Sequence, residues 1–299
     1  MPVKRTIAVA VALLATTAAA ACTASAAPSA PPSASAEPAV GAVPHIVRSV
    51  DLRLPVEDYQ PTTAERVRIA AARIRLIQKC MADFGIAYKT GPVAETPYGP
   101  RSATDRRYGI TDAELAKTEG YGLGSRDPAK EPKAPAPNLG NDGLTALTGN
   151  GQSVVRGRAV PKGGCMRVAD DRIAATVPAG VDLTKGNDLD SWSFKESQSD
   201  SRVIAVFRAW SACMTRAGYN YTDPMAAMDD PAVEDAEITE RDIKTALADI
   251  RCKDETNLVG VWFTVESAYQ ARAIARDRAG FDAVRSAIAT RDKFATSLT

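Results

Sequence analysis

Apolar residues recur at helical spacing in two well-separated segments of the chain. The first segment contains the apolar residues Val67, Ala70, Ile74, Ile77, Met81 and Phe84. Their spacing of three or four residues places them on one face of an amphipathic helix. Thr62 and Glu65 precede this face in the order of a capping box, so the helix is predicted to begin just after Thr62. A second helix of the same kind is predicted from Val203, Phe207, Trp210, Met214 and Ala217.

The ends of these two helices resemble each other. Residues 78–88 and 211–221 share Cys-Met, then Gly, then Tyr at the same positions. Gly85 and Gly218 follow the last turn of each helix, where a left-handed backbone favours glycine. This self-similarity predicts a duplicated helical unit, with the first copy at 59–180 and the second at 195–299.

Helical spacing continues through the C-terminal part of the chain. Thr239 and Asp242 predict the start of a helix that reaches Cys252. From Cys252 to about Ala295 the sequence contains no proline, which predicts one long C-terminal helix. Beyond Arg272 its apolar face becomes thinner, and this end is interpreted as solvated or, alternatively, as an arm that binds a partner or self-associates.

Glycine and proline are frequent between residues 91 and 162. This stretch is predicted to be a loop-rich insertion in the first unit, with short helices such as one near 111–118. A helix is predicted from Cys165 to about Val177, and the polar segment 179–200 is predicted to join the two units. No segment shows the alternation of a strand, so the predicted fold class is all-α, with helical units stapled by disulfides.

The N-terminal residues have the composition of an export signal. Lys4 and Arg5 are followed by an apolar run that ends near Ala21, too short for a permanent membrane span. Residues 1–21 are therefore predicted to be a signal peptide. The sequence AAAC at 19–22 is similar to a bacterial lipobox, which predicts that Cys22 is lipidated. Cleavage at an ordinary Ala-x-Ala site is the alternative.

A segment rich in proline, alanine and serine follows Cys22. Such a composition buries too little apolar surface to fold, so residues 22–58 are predicted to be a disordered lipoprotein tether. The protein is thereby predicted to be exported and held by its lipid on the outer face of the bacterial cell membrane. Its predicted partners are that membrane, through the N-terminal lipid, and an envelope protein or a component of the cell wall.

Four further cysteines are predicted to form two disulfides, because their number is even and the chain is predicted to be exported. Cys80 and Cys213 occupy the same position in the two similar helix ends. Cys252 lies in the helix that follows Cys213, and Cys165 is the remaining partner for Cys80. The predicted pairs among the three possible connectivities are therefore Cys80–Cys165 and Cys213–Cys252.

Composition excludes several functional classes. The chain has 37 Lys and Arg against 36 Asp and Glu, so it lacks the basic excess of a nucleic-acid-binding protein. The single histidine, His45, lies in the predicted tether, which leaves no imidazole in the part predicted to fold. Histidine-dependent triads and histidine-ligated zinc are thereby excluded. No cofactor and no metal site is predicted, and the acidic residues between 229 and 242 are interpreted as helix-end acids.

Several motifs occur together in the two halves of the chain. The second half contains Trp210-x-x-Cys213-Met214-x-x-x-Gly218-Tyr219-x-Tyr221, then Cys252, Glu266 and Gln270. The first half contains Arg107-Tyr108-Gly109 and Gly163-Gly164-Cys165, with Ile77 at the place of Trp210. Over roughly residues 60–295 these motifs resemble an uncharacterised family of secreted proteins and lipoproteins from actinobacteria. The resemblance implies export and a helical fold, and it implies no particular activity.

Two functional hypotheses follow from these patterns. The main hypothesis is a non-enzymatic binding or scaffold protein of the cell envelope, with no catalytic residue. The alternative is a carboxylate-dependent hydrolase of cell-wall glycan, since a glycosidase needs only two acidic side chains. Glu266, at helical spacing from Trp262 and Gln270, is the one residue that this alternative would name.

Overall fold

Helices form most of the computed structural model, which describes residues 37–133, 135, 137–230 and 238–298. The helices are α1 (Thr63–Asp83), α2 (Ala113–Glu119), α3 (Gly140–Thr148), α4 (Gly164–Ala174), α5 (Lys185–Ser197), α6 (Ser201–Arg216), α7 (Pro224–Met228), α8 (Glu240–Thr256), α9 (Leu258–Arg276) and α10 (Arg278–Thr296). One antiparallel hairpin joins β1 (Val154–Val155) to β2 (Arg158–Ala159). The predicted all-α class is confirmed. The predicted signal peptide and Cys22 lie outside the described residues.

Reciprocal capping boxes start two of the helices. At α1, the Thr62 hydroxyl accepts from the Glu65 amide at 3.3 Å, and the Glu65 carboxylate accepts from the Thr62 amide at 2.7 Å. At α8, Thr239 and Asp242 exchange the same two hydrogen bonds at 3.2 and 2.8 Å. Both predicted helix starts are confirmed, because each box satisfies backbone amides that have no partner inside the helix.

The two similar helix ends have the same backbone geometry. Gly85 and Gly218 have positive φ angles of 66° and 89°. The amide of the next residue donates back to a methionine carbonyl, from Ile86 to Met81 at 3.0 Å and from Tyr219 to Met214 at 2.9 Å. This arrangement closes the last carbonyls of a helix. The duplication of whole units stays a prediction.

Each of the two similar helix ends carries a cysteine that forms a disulfide. Cys80 at the end of α1 is bonded to Cys165 in α4, and Cys213 at the end of α6 is bonded to Cys252 in α8. The Cα atoms lie 5.6 Å apart in both pairs, which is an ordinary separation for a disulfide. Both predicted pairs are confirmed.

The predicted long C-terminal helix is divided into three. Asn257 adopts a left-handed conformation with φ of 52° between α8 and α9, and Asp277 separates α9 from α10. These breaks turn α10 back onto the body, so its end is not a projecting arm. An apolar cluster surrounds α10 and comprises Leu54, Val56, Tyr59, Leu189, Ile274, Phe281, Val284 and Ile288. The break was not predicted because neither residue is a strong helix breaker.

The segment predicted as a tether packs on the helices from residue 37 onward. Val40, Ile46 and Leu52 contact the main core, and Leu54 and Val56 are buried. His45 also lies on the folded part, with its Nε2 2.7 Å from Asp254 Oδ1, so the expectation of a folded part without an imidazole is wrong. The prediction of a disordered tether up to residue 58 is therefore corrected for residues 37–58. Extended chain has no helical period, so its apolar residues gave no pattern to detect.

Helix α5 occupies the segment that was predicted to join two units. It packs against α9 and contributes Leu189 and Phe194 to the apolar clusters. In the other half, α1 packs against α10 as well as against α4. Residues from Glu37 onward form one compact unit, so the boundary predicted between 180 and 195 does not divide the described chain into domains.

Two buried tryptophans mark the centre of the molecule. Trp210 of α6 and Trp262 of α9 are fully buried, together with Tyr108 and Met214. Phe194 stacks on Trp262 with ring centroids 5.3 Å apart. In the described part of the chain, no helix is both long and apolar enough to cross a membrane. Buried polar side chains lie directly beside this aromatic core, with Glu266 bonded to Tyr108 and Asp249 bonded to Trp210.

Candidate functional site

Glu266 of α9 is completely buried, and four side chains surround its carboxylate. Arg107 Nε lies 3.0 Å from both carboxylate oxygens, and Arg107 Nη2 also donates to Oε1. Tyr108 donates its hydroxyl to Oε2 at 2.8 Å, and Ser193 donates to Oε1 at 3.2 Å. The Arg107 guanidinium and the Tyr108 and Ser193 hydroxyls together donate hydrogen bonds to both carboxylate oxygens. The carboxylate therefore has no open position for a substrate or a water nucleophile.

A second layer of contacts holds this network in place. Gln270, one turn after Glu266, donates to Ser193 Oγ at 2.9 Å and to Glu266 Oε1 at 3.5 Å, and accepts from the Val56 amide at 3.0 Å. Arg107 also contacts Asp190, whose backbone oxygen lies at 2.9 Å and whose carboxylate lies at 3.0 Å. The Glu266 network, defined as Arg107, Tyr108, Ser193, Glu266 and Gln270, thus joins three separate parts of the chain, and the Val56 amide adds a contact from a fourth.

The charges of the network favour its present protonation state. Burial alone would lower the pKa of Arg107, but the hydrogen bonds and charge of Glu266 outweigh burial and raise it. Burial, followed by the charge of Glu266, raises the pKa of Tyr108 well above its ordinary value. Arg107 thus stays charged and Tyr108 stays a hydrogen-bond donor, so neither is poised to transfer a proton near neutral pH.

A second buried network lies on α8. Lys253 donates to Asp249 Oδ2 at 2.8 Å and to the Ile110 carbonyl at 3.0 Å. Asp249 also accepts from Trp210 Nε1 at 2.9 Å and from the Tyr121 hydroxyl at 3.2 Å. Burial raises the pKa of Asp249 and lowers that of Lys253, because each charge has lost its water. This pair connects α8 to the loop that carries Ile110.

Gly109 lies between the two networks, and its backbone conformation allows the loop at 106–110 to contact both. Its φ is 80°, a conformation that favours glycine. A Cβ at this position would lie 2.4 Å from Lys253 Nζ. Only glycine therefore lets Tyr108 reach Glu266 while the next residue, Ile110, accepts from Lys253.

Some of these site residues were predictable from the sequence, and others were not. Glu266 was named as a catalytic candidate, and the structure buries it with no exposed surface. Arg107 and Tyr108 were noted only through the family resemblance, yet they contact Glu266 directly. Asp249 and Lys253 were missed, although a charged pair four residues apart on the buried face of a helix was a detectable signal.

An open pocket lies beside the Glu266 network. It encloses about 660 Å³ between the start of α1 and the loop at 93–107. Its charged lining residues are Arg66, Arg101, Arg106, Arg107, Arg126 and Glu95. Such a volume accommodates a small organic ligand. The pocket contributes many hydrogen-bond donors and, among its lining residues, a single carboxylate.

The described cysteines are in disulfides, and the described acids form no metal-binding group. Cys80, Cys165, Cys213 and Cys252 are all bonded in disulfides, and Cys22 lies outside the described residues. Among residues 37–133, 135, 137–230 and 238–298, no group of three or more His, Cys, Asp or Glu is placed to hold a metal ion.

Comparison with protein-family models, curated proteins and solved structures finds no match to this chain.

Proposed function

We propose that the protein is a lipid-anchored binding or scaffold protein of the bacterial cell envelope and that it catalyses no reaction. The observation that carries this proposal is the state of Glu266. Its carboxylate is fully buried and already accepts hydrogen bonds from Arg107, Tyr108 and Ser193. A side chain in that state stabilises the fold and has no contact with a substrate.

The surroundings of Glu266 do not support the hydrolase alternative. A glycosidase places two carboxyl groups about 5–9.5 Å apart on either side of an accessible sugar bond. The pocket beside the Glu266 network has Glu95 as the only acid in its lining. No pair of carboxylates therefore faces that pocket.

The proposed location rests on separate observations. Two disulfides are compatible with an extracellular protein, because such bonds persist in oxidising compartments. The lipobox-like sequence before Cys22 and the resemblance to secreted actinobacterial proteins support export and lipid anchoring. Lipid anchoring would keep the compact unit close to the membrane and within reach of wall and envelope components.

Mass spectrometry of the mature N-terminus tests the anchor. We expect Cys22 to be the first residue, to carry acyl chains, and to retain the protein in the membrane fraction. A Cys22→Ala variant should lose this retention while keeping both disulfides. An unmodified N-terminus downstream of Cys22 would contradict lipid anchoring.

Affinity capture from native envelope tests the binding role. The full-length protein should retain a defined envelope protein or glycan that is identified by mass spectrometry. A matched sample with reduced disulfides is the control, since loss of the fold should abolish specific capture. Capture that is identical for folded and reduced protein would contradict a specific binding role.

A further inference from the structure

The pocket beside the Glu266 network combines basic and apolar walls. One wall is the first part of α1, with Val67 and Ala70, and the opposite wall is the loop that includes Val93 and Tyr98. Tyr98 is half-buried, so part of its ring is available to a ligand. These side chains suit the carbon skeleton of a small molecule, and the arginines suit a negatively charged group on it.

Two of the five arginines already have carboxylate partners. Arg101 is bonded to Asp105 and Asp112, with contacts of 2.8 Å to each. Arg107 is bonded to Glu266 and Asp190. Their positive charges are offset inside the protein, so they form the wall of the pocket and are not its binding groups.

The other three arginines bond only to neutral oxygen atoms. Arg66 donates to the Pro61 carbonyl and the Thr63 hydroxyl, at 2.5 and 2.9 Å. Arg106 donates to two backbone carbonyls, those of Tyr121 and Gly122, at 2.9 and 2.7 Å. Arg126 uses only its Nε, which donates to the Gly99 carbonyl at 2.9 Å.

These three side chains keep unused binding capacity. Within the described chain, no carboxylate lies within ion-pair distance of Arg66, Arg106 or Arg126, and both Nη groups of Arg126 make no hydrogen bond. Arg66 lies near the N-terminus of α1, where the helix dipole disfavours a positive charge. Arg66 is exposed, so water already screens part of this unfavourable interaction, and a bound anion would offset the rest.

Burial of Arg106 points the same way. Removal from water lowers the pKa of its guanidinium, and the charge of nearby Asp105 only partly opposes that effect. Arg107 differs, because contact with Glu266 raises its pKa. Arg106 is therefore a partly desolvated cation whose hydrogen bonds go to backbone carbonyls.

We propose that this pocket binds a small molecule that carries a phosphate group, with Arg66, Arg106 and Arg126 as the phosphate-binding residues. The guanidinium fork matches phosphate oxygens, and a phosphate monoester carries a charge of about −1.5 to −2 at neutral pH. Val67, Ala70 and Tyr98 contact the organic part. This inference rests on the proposed binding function and names the ligand class of its pocket.

Isothermal titration calorimetry of the full-length protein in non-ionic detergent tests the assignment. The probes are a sugar phosphate, inorganic phosphate and citrate, each at low and high salt. We expect the sugar phosphate to bind, inorganic phosphate to bind more weakly, and citrate to bind least. Citrate as the tightest ligand, or no measurable binding of either phosphate probe, would overturn the proposal.

Matched variants locate the binding. Arg66→Gln and Arg126→Gln should each weaken the sugar phosphate by about tenfold, the effect of losing one charge-assisted interaction. Arg208→Gln removes the same charge from an exposed site on α6 and should leave the affinity unchanged. Equal affinities for all three variants would overturn the assignment of the pocket.

Two further measurements separate the causes of a negative result. Arg66→Gln should not lower the melting temperature, because it removes a cation from the positive end of α1, so lost binding would not reflect unfolding. If envelope capture persists while phosphate does not bind, only the ligand class is wrong. If phosphate binds while envelope capture fails, the envelope role is wrong and the pocket stands.

Discussion

At Glu266, three side chains from distant parts of the sequence hold one buried carboxylate. Arg107 is separated from it by 159 positions along the chain and Ser193 by 73. A buried charge is costly unless all its hydrogen bonds are made, so this network requires that these segments occupy one arrangement. The polar core thereby positions the loop at 106–110, whose outer side forms part of the arginine-lined pocket.

Glu266→Gln should lower the free energy of unfolding by about 3 kcal/mol, because it removes the buried one of the two carboxylates that pair with Arg107 and leaves Asp190 as the remaining partner. Chemical denaturation near neutral pH measures this change. Glu114→Gln is the control, since it removes an exposed charge on α2 that pairs with Lys117; it should change the free energy by less than about 0.5 kcal/mol. Stabilisation by Glu266→Gln would indicate a strained functional carboxylate and contradict the structural role.

Arg291 is a residue whose replacement should stabilise the protein. Its Nε is buried and has no hydrogen-bond partner in the described chain, and burial lowers the pKa of its guanidinium. Arg291→Met keeps the long apolar stem and removes the unsatisfied group, so the free energy of unfolding should rise by about 1 kcal/mol. Thermal denaturation measures this effect, with Arg276→Met on the exposed end of α9 as the control. A destabilised Arg291→Met protein would show that the guanidinium has a partner.

At the scale of helices, the sequence was sufficient to predict a helix start wherever a nearby side chain hydrogen-bonds the free backbone amides. Thr62 with Glu65 and Thr239 with Asp242 predicted two helix starts because the capping side chains lie three residues from the amides they bind. The break at Asn257 depends on distant contacts and was missed. Its side chain accepts from the Ile46 amide at 3.0 Å and donates to the Pro44 carbonyl at 2.9 Å.

Two substitutions at Asn257 should separate backbone strain from these contacts. Asn257→Ala and Asn257→Gly both remove the bonds to residues 44 and 46, but only glycine adopts a φ of 52° without strain. The alanine variant should therefore be less stable than the glycine variant by about 1 kcal/mol. Chemical denaturation compares the two. In both variants, hydrogen exchange at Ile46 should become faster. Equal stability, or unchanged exchange at Ile46, would contradict this account of the helix break.

The candidate site was only partly predictable for the same reason. Glu266, Arg107 and Tyr108 were each visible as motif residues, but no spacing in the sequence indicates that they meet. The apolar residues at 40–56 belong to extended chain and fill gaps between helices. Their packing depends on surfaces supplied by α9 and α10, so no local hydrophobic periodicity in the sequence predicts it.

At the scale of the whole molecule, buried carboxylates link stability to pH. Burial alone would raise the pKa of Asp200, but hydrogen bonds from Arg202 outweigh burial and lower it. The pKa of Asp105 is lowered in the same way by Arg101. A lowered pKa in the folded state contributes stability that is complete above the unfolded pKa, near 4, and is lost as the pH falls below it.

We therefore expect the free energy of unfolding to decrease as the pH falls below about 4. Urea denaturation across this range measures the decrease. Asp200→Asn should be less stable than the wild type near neutral pH and should lose less stability on acidification. A free energy of unfolding that rises as the pH falls below about 4 would contradict the sign of both pKa shifts.

The protein is proposed to bind an envelope component without cleaving it. One experiment tests both parts: the full-length protein is incubated with native envelope fragments and sedimented, and the supernatant is assayed for newly released reducing ends. We expect the protein in the pellet and no release above the level of a sample without protein, for both the wild type and Glu266→Gln. Release of reducing ends by the wild type above the level of the sample without protein would contradict the claim, and its absence from a Glu266→Gln protein shown to be folded by circular dichroism would assign the cleavage to Glu266.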